Sequence, residues 1–280
     1  MYFPFLRGKQ NELLALRECV DKLAESGEVI PIIEPVNCDS AAILRCVNIL
    51  SEKGVKHILV FNSHNGDIGR TPSEMALLVE EVKSKVSICH FAFIIDNTTQ
   101  PKDINYFLNS IGDDPYSFIH SDSCSEGSLL CEASSSPNFQ YHIFIESGVS
   151  KPYQNQFRDF KRVVISNSFR SVNKNSEYSD PNHEFYTNAH LTYKTDGLTG
   201  FGDYTILSDR FRSGGGQPYS AALHLTHEAD ENKGIWVRHF LSEVYDYPIS
   251  DQAALIHEAL PEMVKFITQY KDYFSFSESV

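Results

Sequence analysis

RVVISNSFR (Arg162–Arg170) and GFGDYTILSDRFRSGGG (Gly200–Gly216) decide how this chain is read. Each holds a short apolar run that ends in polar residues. Val163–Ser166 leads to Asn167 and Arg170, and Tyr204–Leu207 leads to Asp209, Arg210 and Arg212. A parallel strand covered on both faces reads as a continuous apolar run. Polar side chains just past its C-terminal end are where α/β sheets and barrels place their sites.

Upstream, the same pattern recurs in YFPFL (Tyr2–Leu6), VIPIIEPV (Val29–Val36), HILVFNSHN (His57–Asn65), ICHFAFIID (Ile88–Asp96), YSFIHSD (Tyr116–Asp122) and YHIFIES (Tyr141–Ser147). Most runs begin roughly 21–32 residues apart, the length of one βα unit. Helical periodicity fills the gaps. Leu13, Leu16, Val20 and Leu23 share one face, and Ile43, Leu44, Val47 and Leu50 share another behind a cap at Asp39 or Ser40. Thr71 and Glu74 bracket Pro72 as a helix start. Eight such units predict an α/β fold, a (β/α)8 TIM-barrel-like single domain spanning residues 1–280. A polar insertion, Ser171–Thr199, precedes the eighth strand, and Asp203 and Tyr204 open that strand at the stability end of the barrel. A hairpin over 219–240 follows, its arms Ala221–Thr226 and Ile235–Phe240 joined by the acidic turn His227–Gly234. A final helix over 250–274 presents Leu255, Ile256, Leu260, Met263, Ile267 and Tyr270.

The chain has 280 residues, 41% of them hydrophobic, which suffices for a sizeable core. Its net charge of -13 argues against direct nucleic-acid binding by this chain alone, since phosphate contacts need a basic surface. The six cysteines form no C-x-x-C pair and read as free thiols of a reducing compartment. No signal peptide and no apolar run of about 20 residues is present. A cytoplasmic protein without membrane attachment is expected.

On a barrel, the strand ends converge on one mouth. Glu34, Asp96 and Glu146 are the candidate catalytic residues there, as acid and base or as oxygen ligands for Mg²⁺ or Mn²⁺. Glu34 is distinctive because it interrupts an apolar run. Lys9, Asn62, His120, Asn167, Arg170, Asp209 and Arg210 are the candidate ligand- or phosphate-binding residues, with Arg170 and Arg210 or Arg212 as a bidentate clamp. Each has a structural alternative, because charged residues also end buried strands where the chain meets water. No G-x-x-x-x-G-K-S/T, G-x-G-x-x-G or G-x-S-x-G occurs, and His183-Glu184 and His227-Glu228 lack the second histidine of H-E-x-x-H.

YFPFLRGKQNELLALRE (Tyr2–Glu18), VIPIIEPV, NSFR (Asn167–Arg170) and GFGDY (Gly200–Tyr204) resemble landmarks of the phage beta protein family and its small bacterial relatives. That resemblance implies a barrel-like fold. It also implies a two-component anti-phage role beside a nuclease-like protein encoded nearby, and it supplies no catalytic residues. Two functions are therefore expected: a defence-complex subunit binding a ligand or partner at its mouth, or a stand-alone metal-assisted hydrolase or phosphodiesterase.

Overall fold

The computed structural model describes residues 1–36, 40–66, 72–86, 89–211, 216–228 and 233–271. The expectations for Cys38, Asp39, Thr71, Ile88, Arg212, the tip of the acidic turn and the last residues of the final helix lie outside them.

Eight strands line up side by side. They are β1 (Phe5–Leu6), β2 (Ile32–Ile33), β3 (Ile58–Val60), β4 (His90–Ile95), β5 (Tyr116–His120), β6 (Phe139–Ile145), β7 (Arg162–Ser166) and, after an excursion containing β8 (His183–Thr187), β9 (Gly200–Asp203). Their order is β1-β2-β3-β4-β5-β6-β7-β9, and every neighbouring pair is parallel. The sheet closes on itself just ahead of β1. Tyr2 bridges Val29 on one side and Phe201 on the other, and Phe3 N–H donates to the Phe201 carbonyl at 2.8 Å. This is a (β/α)8 TIM barrel. Its connections carry α1 (Gln10–Glu18), α2 (Val20–Ser26), α3 (Ala41–Glu52), α4 (Pro72–Lys85), α5 (Pro101–Ile111), α6 (Gly127–Ala133) and α7 (Lys151–Asn155).

Alternation along the strands sorts the core into two layers. Phe3, Phe5, Ile32, Ile58, Val60, Ile119, Ile143 and Ile165 fill the lumen. Leu6, Leu59, Phe61, Phe91, Phe118 and Phe144 face outward and pack with Leu13, Val47, Phe107 and Phe157 from the helical layer. Each such side chain, fully buried, contributes about 1.5–3 kcal/mol. The closing seam needs glycine. A Cβ on Gly202 would lie 2.0 Å from the Phe3 carbonyl oxygen, and one on Gly200 would lie 2.3 Å from the Phe3 ring.

The chain resolves into two compact units, where the sequence suggests one domain over 1–280. The barrel is Met1–Asn167 with Thr192–Thr205. The second unit is Ser168–Leu191 with Ile206–Val280. Its three-stranded antiparallel sheet runs β10 (Ala222–Glu228), β11 (Ile235–Leu241), β8. Phe169, Tyr178, Tyr186 and Val237 form its own small core. The predicted insertion is thus shared. Its part up to Leu191 supplies β8 to the second unit, and from Thr192 it belongs to the barrel, with the single turn α8 (Ala189–Thr192) at the junction.

Two placements differ from the sequence reading. The eighth barrel strand is Gly200–Asp203, not Tyr204–Leu207, because only the glycine-containing stretch can approach Phe3 at the seam. Asp203 and Tyr204 therefore stand at the C-terminal end of a strand, the mouth end. The final helix, α9 (Gln252–Gln269), buries Leu255 and Ala259, whereas Ile256, Leu260 and Tyr270 are exposed. Among the described residues, no helix is long and apolar enough to cross a membrane.

Candidate functional site

The top layer of the lumen follows from strand parity. Beyond Phe5, Ile32, Val60 and Ile94, the next residues of the same parity are Arg7, Glu34, Asn62 and Asp96. Glu34 is wholly buried and forms an ion pair with Arg7, itself almost fully buried. The same carboxylate accepts from Ser63 Oγ at 3.0 Å, the His64 backbone N–H at 3.1 Å and Asn65 Nδ2 at 3.1 Å. The Arg7 guanidinium lies over the rings of Phe5 and Tyr204, at 5.1 and 5.0 Å from their centroids. Charge, hydrogen bonds and aromatic faces thus satisfy each other, as a buried pair requires. Asn62 is equally committed. Its side chain donates to the Ile94 carbonyl at 2.9 Å and accepts from the Ile94 N–H at 2.6 Å, tying β3 to β4.

Asp96 is more open. Its Oδ1 accepts from the Thr98 N–H at 2.8 Å, Thr98 Oγ1 at 2.7 Å and Thr99 Oγ1 at 3.1 Å. Burial pushes its carboxyl upward, but these bonds and the nearby His64 outweigh that and hold it below its ordinary value. The other oxygen, Oδ2, lies 3.8 Å from His64 Nδ1. Asn62, His64, Asp96, Thr98 and Tyr106 border a cavity of about 220 Å³ at the ends of β3 and β4. That is below the roughly 300–1,000 Å³ of drug-sized sites. It suits a single small polar group.

Glu146 follows lumen-facing Ile145, so it has the opposite parity; it is exposed and accepts from Ser166 Oγ at 2.6 Å. The three carboxylates do not converge. Among the described residues, no group of three or more His, Cys, Asp or Glu side chains is placed to hold a metal ion, which corrects the expected Mg²⁺ or Mn²⁺ site at Glu34, Asp96 and Glu146.

His120 is a further correction. It shares the outward parity of Tyr116 and Phe118 and is fully buried beneath the helices. Tyr153 O–H donates to His120 Nδ1 at 3.0 Å, and His120 Nε2 pairs with His142 Nδ1 at 2.9 Å. His142 Nε2 meets Ser134 Oγ at 3.0 Å, whose hydroxyl donates to the Leu130 carbonyl at 2.7 Å. Because the Ser134 proton is spent on Leu130, the donors run one way: Tyr153 to His120 to His142 to Ser134. Both imidazoles are neutral.

Lys9 serves the start of α1, its backbone N–H donating to Glu12 at 2.9 Å. Asn167 is exposed directly after β7. Arg170, Asp209 and Arg210 belong to the second unit, not to the strand ends of the barrel. Arg170 Nε is engaged by both oxygens of Glu184, at 2.9 and 2.8 Å, so its charge is already matched. Glu184 also accepts from His239 Nε2 at 2.9 Å. Arg210 is exposed, its backbone N–H donating to Ser208 Oγ at 3.3 Å. The sequence reading missed Ser63 and Asn65 as partners of Glu34, and it put Asp203 at the wrong end. Asp203 is buried and accepts from Tyr2 O–H at 2.7 Å and the Thr205 N–H at 2.8 Å.

No family model and no curated protein matches the chain. Among solved structures, it is similar to a mutant of morphinone reductase in complex with tetrahydroNAD, at 9% identity and a TM-score of 0.43, over 72% of this chain and 82% of that one.

Proposed function

We propose that this chain is the cytoplasmic, non-nuclease subunit of a two-component anti-phage complex, binding a nuclease-like partner. The observation that carries this reading is the outer face of α9. Ile256, Leu260 and Val264 repeat at every fourth residue and are 45%, 39% and 50% exposed. An apolar row on a helix whose opposite side already packs is the form that helix-in-groove recognition takes. The net charge of -13 favours a cationic partner, and a protein that grips phosphodiesters is cationic. The resemblance to the phage beta protein family points the same way.

Changing Leu260 and Val264 to aspartate should abolish co-purification with the protein of the adjacent gene and remove phage protection. The thermal midpoint should stay within a few degrees of the parent, since both side chains already face solvent. Protection and co-purification that survive these changes would exclude α9 as the contact. A chain that is monomeric and non-protective with its neighbour present would defeat the reading itself.

A second reading, a phosphodiesterase, is favoured by one observation, the His64–Asp96 pair beside the cavity. A histidine with a carboxylate beside it, here 3.8 Å from Asp96 Oδ2 to His64 Nδ1, is a pair of groups suited to acid–base work. Hydrolysis of bis(p-nitrophenyl) phosphate, reduced at least about a hundredfold by Asp96→Asn, is the expected result. Equal turnover in parent and variant rules this reading out.

A further inference from the structure

The second unit carries a histidine pair that neither reading uses. His183 on β8 and His227 on β10 flank the central strand β11, and their Nε2 atoms lie 3.0 Å apart. The rings are stacked at 5.1 Å with 17° between their planes. Trp236 packs on His183 at 5.1 Å, and Phe266 of α9 meets His227 edge-on at 5.3 Å, so both rings are held from the side. His227 Nδ1 is bonded to the Glu228 carbonyl at 3.1 Å. A carbonyl can only accept, so the proton sits on Nδ1 and the Nε2 lone pair is free of it. This is the tautomer that metal-binding histidines adopt, with the second nitrogen donating to a backbone carbonyl. His183 is exposed at the same point, so the pair is open to solvent.

We infer that His183 and His227 form a two-histidine chelate for a late divalent transition metal, with Ni²⁺ and Cu²⁺ as the best-matched class. The geometry is the argument. Two imidazole nitrogens at about 2.0–2.1 Å from one ion, with roughly a right angle between them, stand about 3 Å apart. The observed separation is of that size, but in the metal-free chain His183 Nε2 donates its proton to His227 Nε2, so binding an ion moves the His183 proton to its Nδ1 and turns the two rings toward a common point. Imidazole ligands and tetragonal geometry select copper and nickel over magnesium or calcium. Among the described residues, no third His, Cys, Asp or Glu joins the pair. The ion would keep positions for water or for a side chain from another protein.

The test is calorimetric titration of the full chain with Ni²⁺ at pH 7.5. One site of micromolar affinity is expected in the parent. His227→Gln keeps an acceptor for His183 and similar volume, so it should fold normally and lose at least about tenfold in affinity. His183→Gln should do the same. His257→Gln, an exposed histidine on α9, should titrate like the parent. Equal affinity in all three variants would show binding by scattered surface histidines and overturn the site. So would a parent that takes up no Ni²⁺.

Discussion

Glu34→Ala is expected to lose about 3–5 kcal/mol of folding stability, a large share of the roughly 5–15 kcal/mol that holds a domain together. The reason is what remains. Arg7 keeps its charge, buried among Phe5, Tyr204 and the lumen side chains, and loses the Glu34 carboxylate. The His64 N–H and Asn65 Nδ2 lose their acceptor at the same time, and Ser63 is left with the Asn65 carbonyl alone. Urea unfolding followed by circular dichroism reads the difference directly. The double variant Arg7→Met, Glu34→Leu should recover much of it, because an apolar pair of similar volume needs no compensation. A single variant as stable as the parent would show that the pair is dispensable. The result also bears on function. A residue of this kind destroys activity when replaced even if it never touches a substrate, so loss of activity alone would not make Glu34 catalytic.

The second large effect is with pH. Burial pushes the imidazole of His120 down to about 3, and burial with the neighbouring His120 pushes His142 down to about 2. In the unfolded chain both titrate near 6.5. Between those limits the unfolded state binds more protons, so their contribution is complete above about pH 6.5 and is lost as pH falls. From pH 6.5 to 5 the two together cost on the order of 3 kcal/mol, a figure fixed by the unfolded value because pH 5 is still well above both folded ones. Buried His57 and half-buried His224 are shifted the same way by burial and add to the loss. The donor chain explains why the protein does not simply accept the protons. Every nitrogen of His120 and His142 already has a fixed partner, so an extra proton would set two donors against each other. The urea midpoint should fall steeply from pH 6.5 to 5; a flat midpoint across that range would contradict the buried-histidine account.

The barrel was legible because each strand is an apolar run and the runs recur at the length of a βα unit. The last strand was not, for a reason visible in its residues. Gly200 and Gly202 give GFGD little of the look of a strand, whereas the following YTIL has it. Propensity pointed to the wrong four residues, and the seam against Phe3 decided the matter. The top of the lumen was partly legible. Arg7, Glu34, Asn62 and Asp96 share the inward parity, but His120 and Glu146 do not, and runs buried on both faces hide parity from the sequence. Arg170 and Arg210 read as strand-end residues only because the chain's departure into a second unit leaves no mark in composition. On α9, hydrophobic spacing located a helix but could not say which apolar row meets its own sheet.

The threading of the two units has a consequence for how they are made and how they come apart. The chain leaves the barrel after Asn167, returns at Thr192 to lay down β9, and departs again after Thr205. During synthesis β8 emerges before the barrel has its last strand, while its ladder partner β11 emerges afterwards. The barrel seam can therefore shut while β8 still waits for a neighbour, so assembly of the second unit is the later event. The same arrangement resists nicking. A protease that cuts after Thr205 severs β10, β11 and α9 from the barrel, yet β8 stays covalently attached to it and can still hold them through the β8–β11 ladder.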